Sequence, residues 1–245
     1  MNKISLLCPS RERLNLNLTF ICSIITTVSD INNIELLFGI DDDDPTLNIM
    51  KKIVKAIPFI KIIPIHNNGQ FIGINKIWNI LAENCKENIM GYVANDMIFR
   101  TPNWDVEILK EFENNCPKDN IYMVHCNDGY HGPKLSVNAF VHKKYYEIMG
   151  YFTRPEFLIN WSDRWMFQTF NAFNRIKYKP DIFIEHNHWV FNRRTKDNIA
   201  ERMGRADEGG ISDKLWNTLA PKRVEDIKKL GRYLNLQPDW SKVET

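Results

Sequence analysis

Short apolar runs alternate with amphipathic stretches through the first hundred residues of the chain. The apolar runs predict buried strands at residues 3–8, 34–40, 60–65 and 90–94. Apolar residues at helical spacing between these runs predict helices at residues 13–28, 46–56 and 74–85. This alternation is typical of an α/β fold in which helices flank a mostly parallel central sheet.

The pattern is less regular in the second half of the chain. It predicts strands at residues 121–126, 137–141 and 182–185, and helices at residues 143–149, 163–173 and 224–234. The charged, glycine-containing residues 193–210 predict a mobile loop. We therefore divide the chain into a main domain, residues 1–190, and a C-terminal helical extension, residues 191–245. In this extension a basic loop precedes a helix that packs on the main domain.

Polar clusters directly follow three of the predicted strands. They are residues 10–13 (SRER), 41–44 (DDDD) and 95–96 (ND). Because ligands bind at the carboxyl ends of parallel strands, we expect these clusters to converge on one edge of the sheet. Four adjacent carboxylates need cations, hydrogen-bond donors or water, and a solvated turn that caps the next helix is the alternative.

Two later clusters also carry candidate chemistry. Asp163 lies between Trp161 and Trp165. A carboxylate with apolar neighbours can act as a general base, and an indole can stack on a sugar, whereas a helix N-cap is the structural alternative. His186 and His188 follow a predicted strand. Side chains alternate along an extended segment, so at most one of the two histidines would face a shared metal unless the chain turns.

Composition narrows the class of protein. The chain has 245 residues, 44% hydrophobic and 25% charged, with a formal net charge of +2, which is typical of a globular protein and not of a dedicated nucleic-acid binder. Its five cysteines include no CxxC pair, which argues against a disulfide framework or a structural zinc site. Neither a signal-peptide pattern nor a transmembrane run of about 18 apolar residues is found. We expect a cytoplasmic protein, or one of the host cytoplasm if the chain is viral.

The order of five motifs, CPSRER, GIDDDDP, ANDMIFRTPNWD, WSDRW and EHNHW, resembles the GT-A glycosyltransferases, most closely the family 2-like group. The resemblance covers residues 3–190, and residues 94–105 are its most specific part. It implies a GT-A (Rossmann-like) fold and a hexosyl- or pentosyltransferase that uses a UDP-, GDP- or CDP-linked sugar donor. The acceptor class (glycan, lipid, protein or modified nucleic acid) and the oligomeric state stay open.

The resemblance also implies roles for individual residues. The catalytic base would be Asp163, and Asp96 and His186 would hold Mn²⁺ or Mg²⁺. The nucleotide-sugar would be bound by Pro9, Ser10, Arg11, Arg13, Asp41, Asp43, Lys76, Asn79, Asn95 and Trp161.

The acidic motif departs from the family pattern at one position. The family usually has two carboxylates there, whereas this chain has Asn95 beside Asp96. Metal-assisted and metal-independent transfer therefore both stay open, as do inversion and retention at the sugar. Two other functions remain as alternatives: a nucleotidyltransferase, although the loop after the first strand lacks the glycines of that class, and a non-catalytic sugar- or nucleic-acid-binding protein.

Overall fold

The computed structural model describes residues 3–244, which form one eight-stranded sheet with helices on both faces. The strands are β1 Ile4–Ser10, β2 Ile34–Asp41, β3 Ile60–Ile65, β4 Ile89–Tyr92, β5 Met97–Phe99, β6 Met123–Asn127, β7 Ala139–His142 and β8 Ile176–His186. The helices are α1 Leu14–Thr27, α2 Leu47–Val54, α3 Ile74–Asn84, α4 Trp104–Asn115, α5 Lys144–Met149, α6 Ser162–Asn171, α7 Asn198–Ala206, α8 Ile211–Thr218 and α9 Ala220–Leu234. The α/β architecture predicted from the sequence is thus confirmed.

Strand directions bring the chemically interesting chain segments to one edge of the sheet. The strand order is β3-β2-β1-β4-β7-β6-β8-β5. Strands β1 to β4 run parallel, β7 is antiparallel to both its neighbours, and β8 is parallel to β6. The carboxyl ends of β1, β2, β4, β6 and β8 therefore share one edge. The sheet is more mixed than the sequence pattern suggests, because β7 and β5 pair only antiparallel.

The alternating side chains of each strand divide the core into two apolar layers. On β1, Leu6 packs with α1, α2 and α4 on one face, while Leu7 packs with α3, α5, α6 and α9 on the other. Both side chains are fully buried, and burying a leucine contributes about 1.5–3 kcal/mol to folding. Packing of these two apolar layers against the sheet holds the strand ends, which carry the polar clusters, in fixed positions.

Two residues of the most specific motif, Trp104 and Asp105, begin helix α4 and have structural roles. Trp104 is fully buried in the core beneath the sheet. The carboxylate of Asp105 is also fully buried, and it accepts hydrogen bonds from the backbone N–H of Ser29 (2.8 Å) and the amide of Asn33 (2.9 Å). These two residues therefore stabilise the connection after α1 and do not line the site described below.

The second half of the chain departs most from the sequence prediction. The stretch 193–210, predicted as a loop, contains helix α7. Strand β8 starts six residues before the predicted strand, because its first half is largely exposed and lacks an apolar pattern. Strand β5 and helices α4 and α8 were not predicted. Helix α9 contains the predicted terminal helix and packs against α5 and α6; the domain division at residue 190 stays a prediction.

All five cysteines are free thiols. Within residues 3–244, none of the helices is both long and apolar enough to cross a lipid bilayer.

Candidate functional site

A cavity of about 590 Å³ opens at the carboxyl edge of the sheet, within the range typical of small-ligand sites. Most of the residues singled out from the sequence line this cavity, although they lie far apart in the chain. They are Pro9, Ser10, Arg11, Arg13, Asp41, Asn95, Asp96, Trp161, Asp163 and His186. The expected convergence of the strand-end clusters is thus present in the structure.

Arg11 organises the acidic run after β2. Its guanidinium donates to the buried carboxylate of Asp41 (2.7 Å) and to that of Asp43 (3.2 Å from Nη2). Burial raises the pKa of Asp41 more than the arginine lowers it, whereas the hydrogen bonds of Arg11 and Asn67 lower the pKa of exposed Asp43 to about 2. Asp41 lines the cavity, whereas Asp43, which was also predicted to contact the nucleotide-sugar, is bonded to Arg11 and is not among the lining residues.

Two other predicted contacts do not reach the cavity. Lys76 is exposed on α3 and is not among the cavity-lining residues. The amide of Asn79 is used internally: it donates to the carbonyl of Thr153 (2.6 Å) and accepts from the N–H of Phe152 (2.6 Å). We therefore assign Asn79 to anchoring the chain before α6, and neither residue enters the function proposed below.

Asn95 holds the loop after β4 against β1 and α1. Its buried amide donates to the hydroxyl of Ser10 (3.2 Å) and to the side-chain oxygen of Asn17 (2.9 Å). Its own oxygen faces Arg13 at 3.5 Å. Because these contacts occupy the amide, Asn95 determines the position of Asp96 and supplies no second carboxylate.

Asp96, His186 and His188 form the one group of the described residues whose side chains could together hold a metal ion. Their ligand atoms all lie within 4.8 Å of one another. Nε2 of His186 is 3.5 Å from Oδ1 of Asp96. Burial raises the pKa of Asp96, but the hydrogen bond and charge of His186, with the charges of Arg13 and His188, outweigh burial and hold that pKa below its usual range. The carboxylate is therefore ionised and suited to a cation.

His188 was not identified as a ligand from the sequence. Alternation along a strand would turn it away from His186, but β8 ends at His186 and the chain turns there. The two imidazole rings consequently lie 5.0 Å apart and both line the cavity. The sequence signal for this turn was the end of the predicted apolar strand at residue 185, directly before His186, Asn187 and His188.

A salt-bridge network joins the β1 loop to helix α7. Arg13 makes two hydrogen bonds of 2.9 Å to Asp197, and Arg194 donates to Asp197 (2.9 Å) and faces Asp96 (3.3 Å). Asp197 also caps α7 through the N–H of Ala200 (2.7 Å). Two arginines are thereby held beside Asp96, and α7 forms one wall of the cavity. The Asp197 cap and the spacing of Ile199 and Met203 were the sequence signals for this missed helix.

Asp163 lies in the first turn of α6 and faces the cavity. It is not the N-cap, which is Trp161 in a left-handed conformation (φ 76°). Trp161 is held there by stacking on Trp216 (4.8 Å between ring centroids) and by a hydrogen bond to Asp213 (2.9 Å). Burial raises the pKa of Asp163, and the Arg164 N–H and nearby histidines only partly offset this effect. A raised pKa is what a general base operating near neutrality requires.

Comparison with known proteins gives matches only at the level of structure. No model of a known protein family matches the sequence, and no curated protein sequence matches it. Among solved structures, the mannosyltransferase PcManGT from Pyrobaculum calidifontis, in complex with GDP-Man and Mn²⁺, is similar with a TM-score of 0.60 and 11% identity. That similarity covers 96% of this chain and 74% of PcManGT.

S. aureus TarS is also similar in structure. Its fragment 1–349 matches with a TM-score of 0.57 and 13% identity, over 74% of this chain and 59% of the fragment. The chain thus spans about 59% of the length of that fragment. TarS structures include complexes with UDP and with UDP-GlcNAc. Both neighbours are GT-A-type glycosyltransferases, and this chain therefore has the GT-A glycosyltransferase fold.

Proposed function

We propose that the protein is a glycosyltransferase that moves a sugar from a nucleoside diphosphate sugar to an acceptor hydroxyl with inversion. The observation that carries the proposal is that Asp96, Arg13 and Asp163 line one cavity although they lie far apart in sequence. This combination supplies a cation-binding carboxylate, a phosphate-binding cation and a base within one cavity. The finer family 2-like assignment remains a prediction.

The nucleoside is proposed to bind beside Pro9, Arg11 and Asp41. Asp41 is buried at the end of β2, where its carboxylate can accept hydrogen bonds from a ribose or a base. Arg13 and Arg194 are proposed to contact the diphosphate, because guanidinium groups bind phosphate oxygens in a bidentate manner. The guanidinium of Arg13 is paired with Asp197 at 2.9 Å.

The residues around Asp96 fit a divalent cation. Asp96 contributes a carboxylate and His186 and His188 contribute imidazoles, a donor set compatible with Mn²⁺. Nδ1 of His186 is buried and has no hydrogen-bond partner among the described residues, so the ring is not held in place by another acceptor. A bound divalent ion would stabilise the negative charge that develops on the leaving diphosphate. Mn²⁺ and Mg²⁺ both remain candidates.

Asp163 is proposed to accept the proton of the attacking hydroxyl. The acceptor oxygen forms a bond to the anomeric carbon, while the bond from that carbon to the diphosphate oxygen breaks and its electron pair leaves with the diphosphate. The proton moves from the acceptor hydroxyl to the Asp163 carboxylate. Arg13 and Arg194 balance the charge of the departing diphosphate.

The first experiment is a donor screen with the whole chain. We expect one of UDP, GDP or CDP to raise the melting temperature, and Mn²⁺ to increase that shift, because both bind only the folded state. We also expect slow hydrolysis of the matching nucleotide-sugar, which decreases on chelation of the metal. Asp96→Asn should weaken Mn²⁺ binding, measured directly by calorimetry, more than tenfold.

A matched control distinguishes an effect on the proposed metal site from the effect of losing any one carboxylate. Asp181→Asn removes an exposed carboxylate from β8, outside the cavity-lining residues, and should bind Mn²⁺ and nucleotide like the wild type. If no nucleoside diphosphate shifts the melting temperature with or without Mn²⁺, the glycosyltransferase proposal is wrong. Nucleotide binding without hydrolysis or transfer would instead favour the non-catalytic binding protein.

A further inference from the structure

A series of aromatic rings leads from the histidine pair to the protein surface. The ring of Phe191 lies with its centroid 6.1 Å from that of His186 and 5.9 Å from that of His188. The same ring stacks on Tyr130, with 3.5 Å between the ring centroids and an interplanar angle of 22°. Tyr130 is 62% exposed. We call Tyr130, Phe191 and the adjoining His131 the ring platform.

Two separate chain segments connect the ring platform to the cavity. Leu135 and Val137, which follow Tyr130 and His131, line the cavity. The three residues before Phe191, from His188 to Val190, line it as well. Both segments therefore run from the cavity wall to the platform, so the platform continues the cavity outward.

The platform is held in a defined position. The backbone at Gly129 has φ +79°, and a side chain there would meet Phe183 at 2.9 Å and Arg193 at 3.0 Å. Oδ1 of Asp128 accepts from the N–H groups of Tyr130 (3.1 Å) and His131 (2.8 Å). This turn presents the Tyr130 ring with one face on Phe191, while most of the remaining surface of Tyr130 is open to solvent. A fixed flat ring with a free face is suited to stacking.

Two arginines near the platform share one carboxylate partner, Glu185. Nη2 of Arg193 donates to the carbonyl of Gly129 (2.9 Å), and its Nη1 lies 3.5 Å from Glu185. Arg100 donates twice to the same glutamate, at 2.8 and 2.7 Å. A neutral ligand needs no unpaired cation at the platform, whereas a nucleic acid would need cations that can reach its phosphates.

We propose that the ring platform is the acceptor subsite and that its ligand is a neutral sugar ring stacked on Tyr130. The inference rests on the proposed function and names the acceptor class, a glycan. A pyranose on the ring of Tyr130 would lie next to the cavity that Asp163 lines, and its hydroxyl would give its proton to that carboxylate. The C–H groups of a pyranose form a flat apolar surface. This surface matches the apolar face of an aromatic ring such as the phenol ring of Tyr130.

The test measures binding of defined sugars and uses the whole chain with UDP and Mn²⁺. Methyl glycosides of glucose, galactose, mannose and N-acetylglucosamine are titrated by saturation-transfer NMR. We expect at least one glycoside to bind, Tyr130→Ala to weaken that binding about tenfold, and Tyr130→Phe to preserve it because the ring is kept. Tyr233→Ala is the matched control, since Tyr233 is exposed on α9 and does not line the cavity.

Melting temperatures and the UDP-dependent shift of the wild type are recorded in the same samples. A wild type that binds UDP but none of the glycosides, or a Tyr130→Ala protein that binds a glycoside as well as the wild type, overturns the acceptor subsite alone. Absence of any UDP, GDP or CDP binding by the wild type overturns the proposed function instead. Binding of a single-stranded 12-mer oligonucleotide that depends on Tyr130, in place of glycoside binding, would assign the platform to a nucleobase and also overturn the proposal.

Discussion

At the scale of single residues, the environment of Asp163 bears on its proposed role as the base. The folded protein raises the pKa of this carboxyl because burial penalises the charged form. A base works only when deprotonated, so its activity is lost as pH falls through that raised pKa. The same burial means that the folded state favours the protonated form, and ionisation of Asp163 at neutral pH therefore costs stability.

Asp163→Asn should separate these two effects. We expect turnover of the nucleotide-sugar to fall by about 10²–10⁴-fold, while the melting temperature at neutral pH rises because no charge remains to be buried. Activity and thermal unfolding of the variant are measured at the same pH. Unchanged turnover would show that Asp163 is not the base, and Asp181→Asn controls for the loss of one acidic group.

The pH profile gives an independent test of the same residue. We expect the acid limb of kcat/KM in the wild type to lie above the pH range in which an ordinary aspartate, with a pKa of about 3.9, titrates. The profile is recorded across acidic to neutral pH at saturating Mn²⁺. A rate that does not change until the protein unfolds in acid would contradict a base with a raised pKa.

At the scale of elements, helix α7 depends on one carboxylate for its N-terminal cap and for two ion pairs. Asp197 caps the helix N-terminus through the N–H of Ala200 and also pairs with Arg13 and Arg194. Helix α7 is short and amphipathic, with nine residues, and helices of this length rarely persist in water without tertiary contacts. Loss of Asp197 should therefore loosen one wall of the cavity.

Substitutions at Asp197 should separate the cap from the ion pairs. Asp197→Ser retains a side-chain acceptor for the cap but loses the charge, whereas Asp197→Ala loses both. We expect amide hydrogen exchange in α7 to increase more in Asp197→Ala than in Asp197→Ser, by a factor that corresponds to about 1 kcal/mol. Equal exchange in both variants would mean that the ion pairs alone hold the helix.

At the scale of the whole molecule, a buried histidine makes folding sensitive to acid. His125 on β6 is fully buried between aromatic neighbours Phe167 and Tyr178, and neither ring nitrogen has a hydrogen-bond partner among the described residues. Burial lowers its pKa to about 4 from the ordinary 6.5, and Asp128 offsets this only in part. The unfolded chain therefore binds a proton at a higher pH than the folded protein.

The free energy of unfolding should consequently decrease as pH falls from 6.5 to about 4. Each pKa unit corresponds to about 1.4 kcal/mol, so His125 contributes about 3 kcal/mol to this decrease. His125→Phe should flatten the dependence in urea unfolding at several pH values, whereas His66→Gln, at an exposed site, should leave it unchanged. An identical slope for His125→Phe and the wild type would contradict the assignment.

The sequence by itself determined the N-terminal half of the fold. Strands β1, β2 and β3 and helices α1 and α3 lie close to their predicted ranges, because their apolar patterns match the period of the element that buries them. The strand-end positions of Asp41 and Asp96 followed from the same pattern. The rule that ligands gather at the carboxyl ends of parallel strands was enough to predict that these two residues share a site.

Only the tertiary structure decided the rest of the site. The bend after β8, which brings His188 beside His186, is local, but an extended segment would have placed the two side chains on opposite sides. The burial that raises the pKa of Asp163 and the stack of Tyr130 on Phe191 depend on segments that are far apart in sequence. Local pattern cannot encode them, because they depend on how β8, α6 and the loop after β6 pack at one edge. The same applies to Asn79 and Asn95, whose amides bind backbone and side chains of neighbouring segments that only the fold brings near.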